Sequence, residues 1–107
     1  MAKQFNSENF QKEVLEASKE KPVLVDFFAD WCGPCKVQGP IIDDLSQEVE
    51  ADAVVGKLNI DEGQDVASKY GVMSIPTIIL FKDGSAQETM VGMQSKESLK
   101  SLLDQYK

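Results

Sequence analysis

The run Val23-Leu24-Val25-Asp26-Phe27-Phe28-Ala29 carries one polar residue in seven and is opened by Pro22. A stretch this short and this apolar, rich in β-branched and aromatic residues, fits a strand covered on both faces. Strands of that kind occupy the middle of sheets flanked by helices, which narrows the chain to the α/β classes. The surrounding pattern supplies the flanking elements. Phe10, Val14 and Leu15 form a helical stripe behind Ser7, which reads as its N-cap. Val37, Ile41, Ile42, Leu45 and Val49 mark the core face of a long second helix. Pro40 lies inside that pattern, cannot donate to the carbonyl of Lys36, and predicts a kink. Residues 53–60 read as another strand. Val66, Ala67 and Tyr70 suggest a short helix that Gly71 stops. Residues 77–81 and 87–91 read as a hairpin turned by Lys82-Asp83-Gly84-Ser85, and Ser95 caps a last helix with the stripe Leu99, Leu102, Leu103 and Tyr106. The order helix, strand, helix, strand, helix, hairpin, helix predicts a central mixed sheet with helices on both faces. A length of 107 residues suits one domain, and no linker or repeat divides residues 1–107.

The chemistry is concentrated just after the first apolar run, in Trp31-Cys32-Gly33-Pro34-Cys35-Lys36. These are the only two cysteines. At the start of a helix, residues i and i+3 share a face and lie about 4.5 Å apart along the axis, which suits a disulfide. Unpaired N–H groups at that helix end favour a thiolate over a thiol. Cys32, nearer the helix start, is expected to be the more exposed and acidic thiol and so the nucleophile. Cys35 is expected to be more buried and to resolve the exchange. Gly33 places no side chain over the thiols, and Pro34 costs little in a first turn, whose amides lack helical partners anyway. Trp31 either flanks the site or fills the core.

Composition removes the competing chemistries. The chain has no histidine, so neither a histidine acid–base mechanism nor a histidine metal site is available, and a zinc site needs about four ligands. A net charge of −7 with no basic cluster argues against nucleic acid and anionic membranes as partners. No apolar run approaches the roughly 20 residues of a membrane span, and the first residues lack the apolar segment of a signal peptide. A cytoplasmic location follows as an expectation, and there cysteine pairs are usually catalytic rather than structural. Asp26, set among apolar neighbours, should have its pKa raised by desolvation unless it points to solvent. Lys57, central in the next strand, could pair with Asp26 or simply extend to water.

The segment from Asp26 to Lys36, with Pro40 beyond it, resembles the signature of the thioredoxin family. The likeness continues in Lys57-Leu58-Asn59-Ile60-Asp61, in Tyr70-Gly71-Val72-Met73-Ser74-Ile75-Pro76-Thr77, in Phe81-Lys82-Asp83-Gly84 and in Val91-Gly92, and so covers nearly the whole chain. Thioredoxins are themselves the standard example of a Cys-x-x-Cys pair with a lowered thiol pKa. The resemblance implies a thioredoxin fold, with a short extra strand near Lys3 to Phe5 completing a five-stranded sheet flanked by four helices. It implies a cis Ile75–Pro76 bond opposite the cysteines, which leaves the Ile75 backbone free to pair with an extended substrate segment. It implies a buried Asp26 that takes the proton of Cys35 through water. Trp31, Gly33, Pro34, Ile60, Ile75, Pro76, Val91, Gly92 and Met93 would then line an apolar docking rim. Met93 stands where relatives often carry a smaller residue. The implied activity is protein-disulfide reduction by a monomer whose only redox group is its own Cys32–Cys35 pair. The implied partners are disulfide-containing proteins and a thioredoxin reductase-type flavoprotein that restores the dithiol. Disulfide-forming relatives usually carry a histidine between the cysteines, so Gly33-Pro34 argues for a reductant. A non-catalytic binding subunit using the same rim is the alternative from another class.

Overall fold

The computed structural model describes residues 2–107. Strands β1 (Lys3–Phe5), β2 (Val23–Phe28), β3 (Val54–Asn59), β4 (Thr77–Lys82) and β5 (Ser85–Val91) form one sheet in the order β1-β3-β2-β4-β5. β3 runs parallel to both β1 and β2, while β4 is antiparallel to β2 and to β5. The sheet is therefore mixed and five-stranded, with the short strand at Lys3–Phe5 in place at one edge. Four helical elements pack on it: a first helix at Gln11–Glu16 that tightens into a 3-10 turn at Ala17–Lys19, then α1 (Gly33–Glu48), α2 (Gln64–Lys69) and α3 (Lys96–Tyr106).

Alternation along the central strands sorts the core into two layers. Leu24 of β2 and Ile78 and Leu80 of β4 meet Ile42 and Leu45 of α1 and Leu99 and Leu103 of α3 on one face. Val23, Val25 and Phe27, with Ile79 and Phe81, meet Phe10, Val14, Val66 and Ala67 on the other. There the rings of Phe10, Tyr70 and Phe81 make a mutual cluster with centroids 5.1–5.8 Å apart, which joins the first helix and the end of α2 to the sheet. Asp26 shares the parity of Leu24 and so lies on the α1 face. Its register partner on β3 is Lys57.

Several local expectations change. The first helix is a π-helix over Gln11–Glu16. Ser7 is not its cap: the Asn6 side chain accepts from the N–H groups of Glu8 and Asn9, both at 2.9 Å, and the Ser7 hydroxyl turns instead to Asp65 in the first turn of α2. Val37 is 59% exposed and does not belong to the core stripe of α1. The buried face of that helix runs Cys35, Gln38, Ile42, Leu45, a regular 3-4-3 spacing in which a polar Gln38 occupies the place given to Val37. Pro40 does lie inside α1. The hairpin turn is tight. Asp83 and Gly84 both have positive φ (56° and 82°), the two-residue pattern that matches strand twist. Ser18 closes it, its carbonyl accepting from Asp83 N–H and its hydroxyl oxygen from Gly84 N–H, each at 2.8 Å.

Because β4 runs against β2 and β5 against β4, the start of β4 lies between the end of β2 and the end of β5: Phe27 pairs with Thr77, and Thr77 with Val91. Ile60 N–H donates to Phe28 O at 2.8 Å. Four chain segments thus converge at one end of the sheet, where α1 begins.

Candidate active site

Cys32 is the N-cap of α1, in extended conformation (φ −89°, ψ 117°), and Gly33 and Pro34 open the first turn. Its Sγ accepts from the Cys35 N–H at 3.2 Å. The two cysteines form a disulfide with their Cα atoms 5.3 Å apart, inside the range the helical spacing anticipates. A Cβ at position 33 would meet nothing within 4 Å, so the approach over Gly33 is open. The expected difference in exposure between the cysteines is absent in this oxidised form: each is 5% exposed. What separates them is position. Cys32 caps the helix and lies 3.8 Å from the Ile75 carbonyl oxygen, whereas Cys35 lines a cavity of about 380 Å³ together with Asp26, Gly39, Pro40, Asp43 and Lys57.

Asp26 is 1% exposed, and neither carboxylate oxygen has a hydrogen-bond partner among the described residues. Burial pushes its pKa up to about 7; the Lys57 cation opposes that rise and the Asp43 carboxylate adds to it. Lys57 does not pair with Asp26. Its Nζ bonds Asp43 Oδ2 at 3.2 Å. The ammonium chooses the carboxylate on α1 because that one is partly solvated and further held by the Ala2 N–H, at 3.1 Å, whereas ionised Asp26 would be buried. Burial alone would raise Asp43, but the Ala2 and Lys57 contacts hold it below the usual carboxylate range. Asp43 carried no sequence signal beyond its place on α1. Asp43→Asn should free Lys57 to turn toward Asp26, its register partner, and move the Asp26 titration downward. Carbon-detected NMR titration of the Asp26 carboxyl checks this, and an unmoved or raised midpoint would show that Lys57 cannot reach.

Around the disulfide, Ala29, Phe28, Ile60 and Ile75 pack against the sulfurs. The Ile75–Pro76 bond is cis and Pro76 is buried. Trp31 is 70% exposed, which excludes the core reading, and Val91 and Met93 are 65% and 43% exposed. Gly92 takes a positive φ of 94°, and its N–H donates to Pro76 O at 2.8 Å. Met73, 95% exposed two residues before Ile75, has no role assigned by the sequence beyond its place in the Tyr70–Thr77 segment; with Ile60 and Val72 it lines a groove of about 470 Å³ along α2. Among the described residues there is no cluster of three or more metal-ligating side chains and no helix long and apolar enough to cross a membrane.

Residues 1–105 match the family model described as Thioredoxin. The chain belongs to the thioredoxin family. It is 52% identical to the thioredoxin of Rickettsia felis over 99 residues, covering 92% of each chain. It is 49% identical to the thioredoxin of Pseudomonas aeruginosa over 96 residues, 90% of this chain and 87% of that one. It is 47% identical to thioredoxin 1 of Synechococcus elongatus over 97 residues, 91% and 89%. As a thioredoxin it is a thiol–disulfide oxidoreductase that works by dithiol–disulfide exchange through its own cysteine pair, on disulfide-containing targets and with a reductase as counterpart.

Proposed function

We propose that the chain is a general protein-disulfide reductase in which Cys32 attacks, Cys35 resolves and Asp26 takes the proton. The Cys32 thiolate attacks one sulfur of a target disulfide, forming a Cys32–target bond and releasing the other target sulfur as a thiolate. Cys35 then gives its proton to Asp26 across the cavity they share, through water, and attacks Cys32 Sγ. The second target sulfur leaves as a thiolate, and two electrons have passed from the dithiol to the target. The observation that carries this reading is an unpartnered, buried Asp26 lining one cavity with Cys35, while Cys32 caps α1 next to Gly33, where a Cβ would meet nothing. A carboxyl with a pKa near 7 is matched to proton transfer at neutral pH. Lys57 acts only on the field at Asp26.

Targets dock on the apolar rim formed by Trp31, Gly33, Pro34, Ile60, Ile75, Pro76, Val91, Gly92 and Met93, with an extended target segment pairing to the Ile75 backbone. The electron donor is a flavoprotein of the thioredoxin reductase type. The chain acts as a monomeric single domain over residues 1–107, in the cytoplasm, without nucleic-acid or membrane partners, in keeping with its net charge of −7. Insulin reduction tests the reading. The wild-type dithiol should reduce insulin, and Cys32→Ser/Cys35→Ser should lose all of it. A target-dependent effect that survives loss of both thiols would instead identify a binding subunit.

A further inference from the structure

We infer that Gln38 is a positioning residue that ties the cysteine-bearing helix to the loop carrying Gly92 and Met93, and thereby sets how tightly protein targets dock. The inference rests on the docking rim proposed above.

Gln38 is 0% exposed. A primary amide in that position is costly unless its donor and acceptor are both used. Both are used, on one residue: Gln38 Nε2 donates to Gln94 O at 3.0 Å, and Gln38 Oε1 accepts from Gln94 N–H at 2.8 Å. This is the exchange that opposed residues of two strands make with each other, here delivered by a side chain. It holds residue 94 between the end of β5 at Val91 and the Ser95 cap of α3, a stretch with no ladder of its own. The Gln94 side chain in turn donates to Gly92 O at 3.4 Å, and Gly92 N–H donates to Pro76 O. Pro76 follows Ile75, whose carbonyl oxygen faces Cys32 Sγ. Hydrogen bonds therefore run from α1 through residues 94, 92 and 76, and the contact of Ile75 O with Cys32 Sγ returns the path to α1. Gln38 lies one turn beyond Cys35 on the same buried face, so the tie is anchored on the helix whose first turn holds the disulfide. Loss of the tie would free Gly92 and Met93 while leaving Cys32, Cys35 and Asp26 in their own packing.

Gln38→Met keeps the volume and removes both bonds. In the full chain it should raise the KM for insulin about fivefold or more, with kcat and the second-order rate toward a small aromatic disulfide both within about twofold of wild type, the pattern of lost docking rather than lost chemistry. The Gln94 amide should exchange slowly with solvent deuterium in the wild type and rapidly in the variant. Met93→Asp serves as the independent check on the rim and should also raise KM. If it raises KM while Gln38→Met does not, the rim stands and the role of Gln38 is overturned. If Met93→Asp leaves KM unchanged, this loop takes no part in docking and both readings of it fall. A slower reaction of Gln38→Met with the small disulfide would place Gln38 on the thiols and overturn the inference. Should Gln38→Met not fold, Gln38→Asn, one methylene short of residue 94, takes its place. Fast exchange of the Gln94 amide in wild-type protein overturns the inference without any variant.

Discussion

Cys35→Ser should accumulate covalent mixed disulfides with its protein targets, and Cys32→Ser should accumulate none. The helix cap decides the order of attack. Cys32 Sγ sits where the unpaired N–H groups of α1 converge and accepts one of them from Cys35. That arrangement stabilises a thiolate, and the thiolate is the attacking species. Open space over Gly33 lets a bulky disulfide reach it. With serine at 35 the first displacement proceeds and the second has no nucleophile, so the intermediate persists. With serine at 32 the remaining thiol lines the Asp26 cavity and lacks the helix-cap position that favours a thiolate. Turnover on insulin falls to background in both variants, so turnover alone does not separate the roles. Non-reducing electrophoresis of each variant after exposure to insulin or to a cell extract does. Equal trapping by Cys32→Ser would show that the assignment of roles is wrong.

Asp26→Ala should be more stable than wild type near and above neutral pH, by as much as about 4 kcal/mol, and no more stable in acid. The folded pKa is raised by burial from 3.8 to about 7, so the folded state holds the proton more tightly than the unfolded chain does. A group of this kind imposes no penalty below its unfolded pKa. Stability is then lost as pH rises from about 4 to about 7, and the full penalty persists above that. At about 1.4 kcal/mol per pH unit, the gap between 3.8 and about 7 gives the figure quoted. Removing the carboxylate removes the penalty, less whatever packing the truncation forfeits. Urea midpoints from pH 4 to pH 9 check the profile; a variant less stable than wild type at the alkaline end would mean that Asp26 carries a favourable charge interaction instead. The same variant should resolve its mixed disulfide about 10²-fold more slowly at neutral pH. That is the low end of what a positioned acid–base group contributes, since a thiol with an ordinary pKa near 8.5 still ionises unaided.

The sequence was most legible where burial is two-sided or the motif is dense. The apolar run at residues 23–29 becomes the central strand β2, flanked by β3 and β4, and the cysteines fall on the helix end that follows it. Asp26 stood out because it was the one polar residue in that run. The misreadings concern residues whose meaning depends on what lies across a gap. Val37 and Gln38 are neighbours on a helix, and hydropathy prefers the valine for the core; only the loop at residue 94, 56 positions away, gives the glutamine partners that make its burial affordable. For Lys57 the sequence leaves pairing with Asp26 and extension to water both open; adjacent strands bring the two residues into register, yet Asp43, on a helix that packs across the sheet, takes the ammonium. Ser7 has the chemistry of a cap, but it turns to Asp65, Asn6 closes the turn that precedes the helix, and the helix itself starts at Phe10 without a side-chain cap.

The meeting of four segments at one end of the sheet bears on how the protein is made. Cys32 and the Ile75 carbonyl it faces are 43 positions apart, and Gln38 and Gln94 are 56 apart. A ribosome adding about 5–20 residues per second presents both thiols to the cell seconds before it delivers Pro76, Gly92 and Met93. In that interval the nascent chain holds both thiols with only Trp31, Gly33, Pro34 and Ile60 of the proposed docking rim. On the docking proposed above, the rim is completed only by the C-terminal third, and a chain stalled short of it would offer its thiols with less than half of that surface.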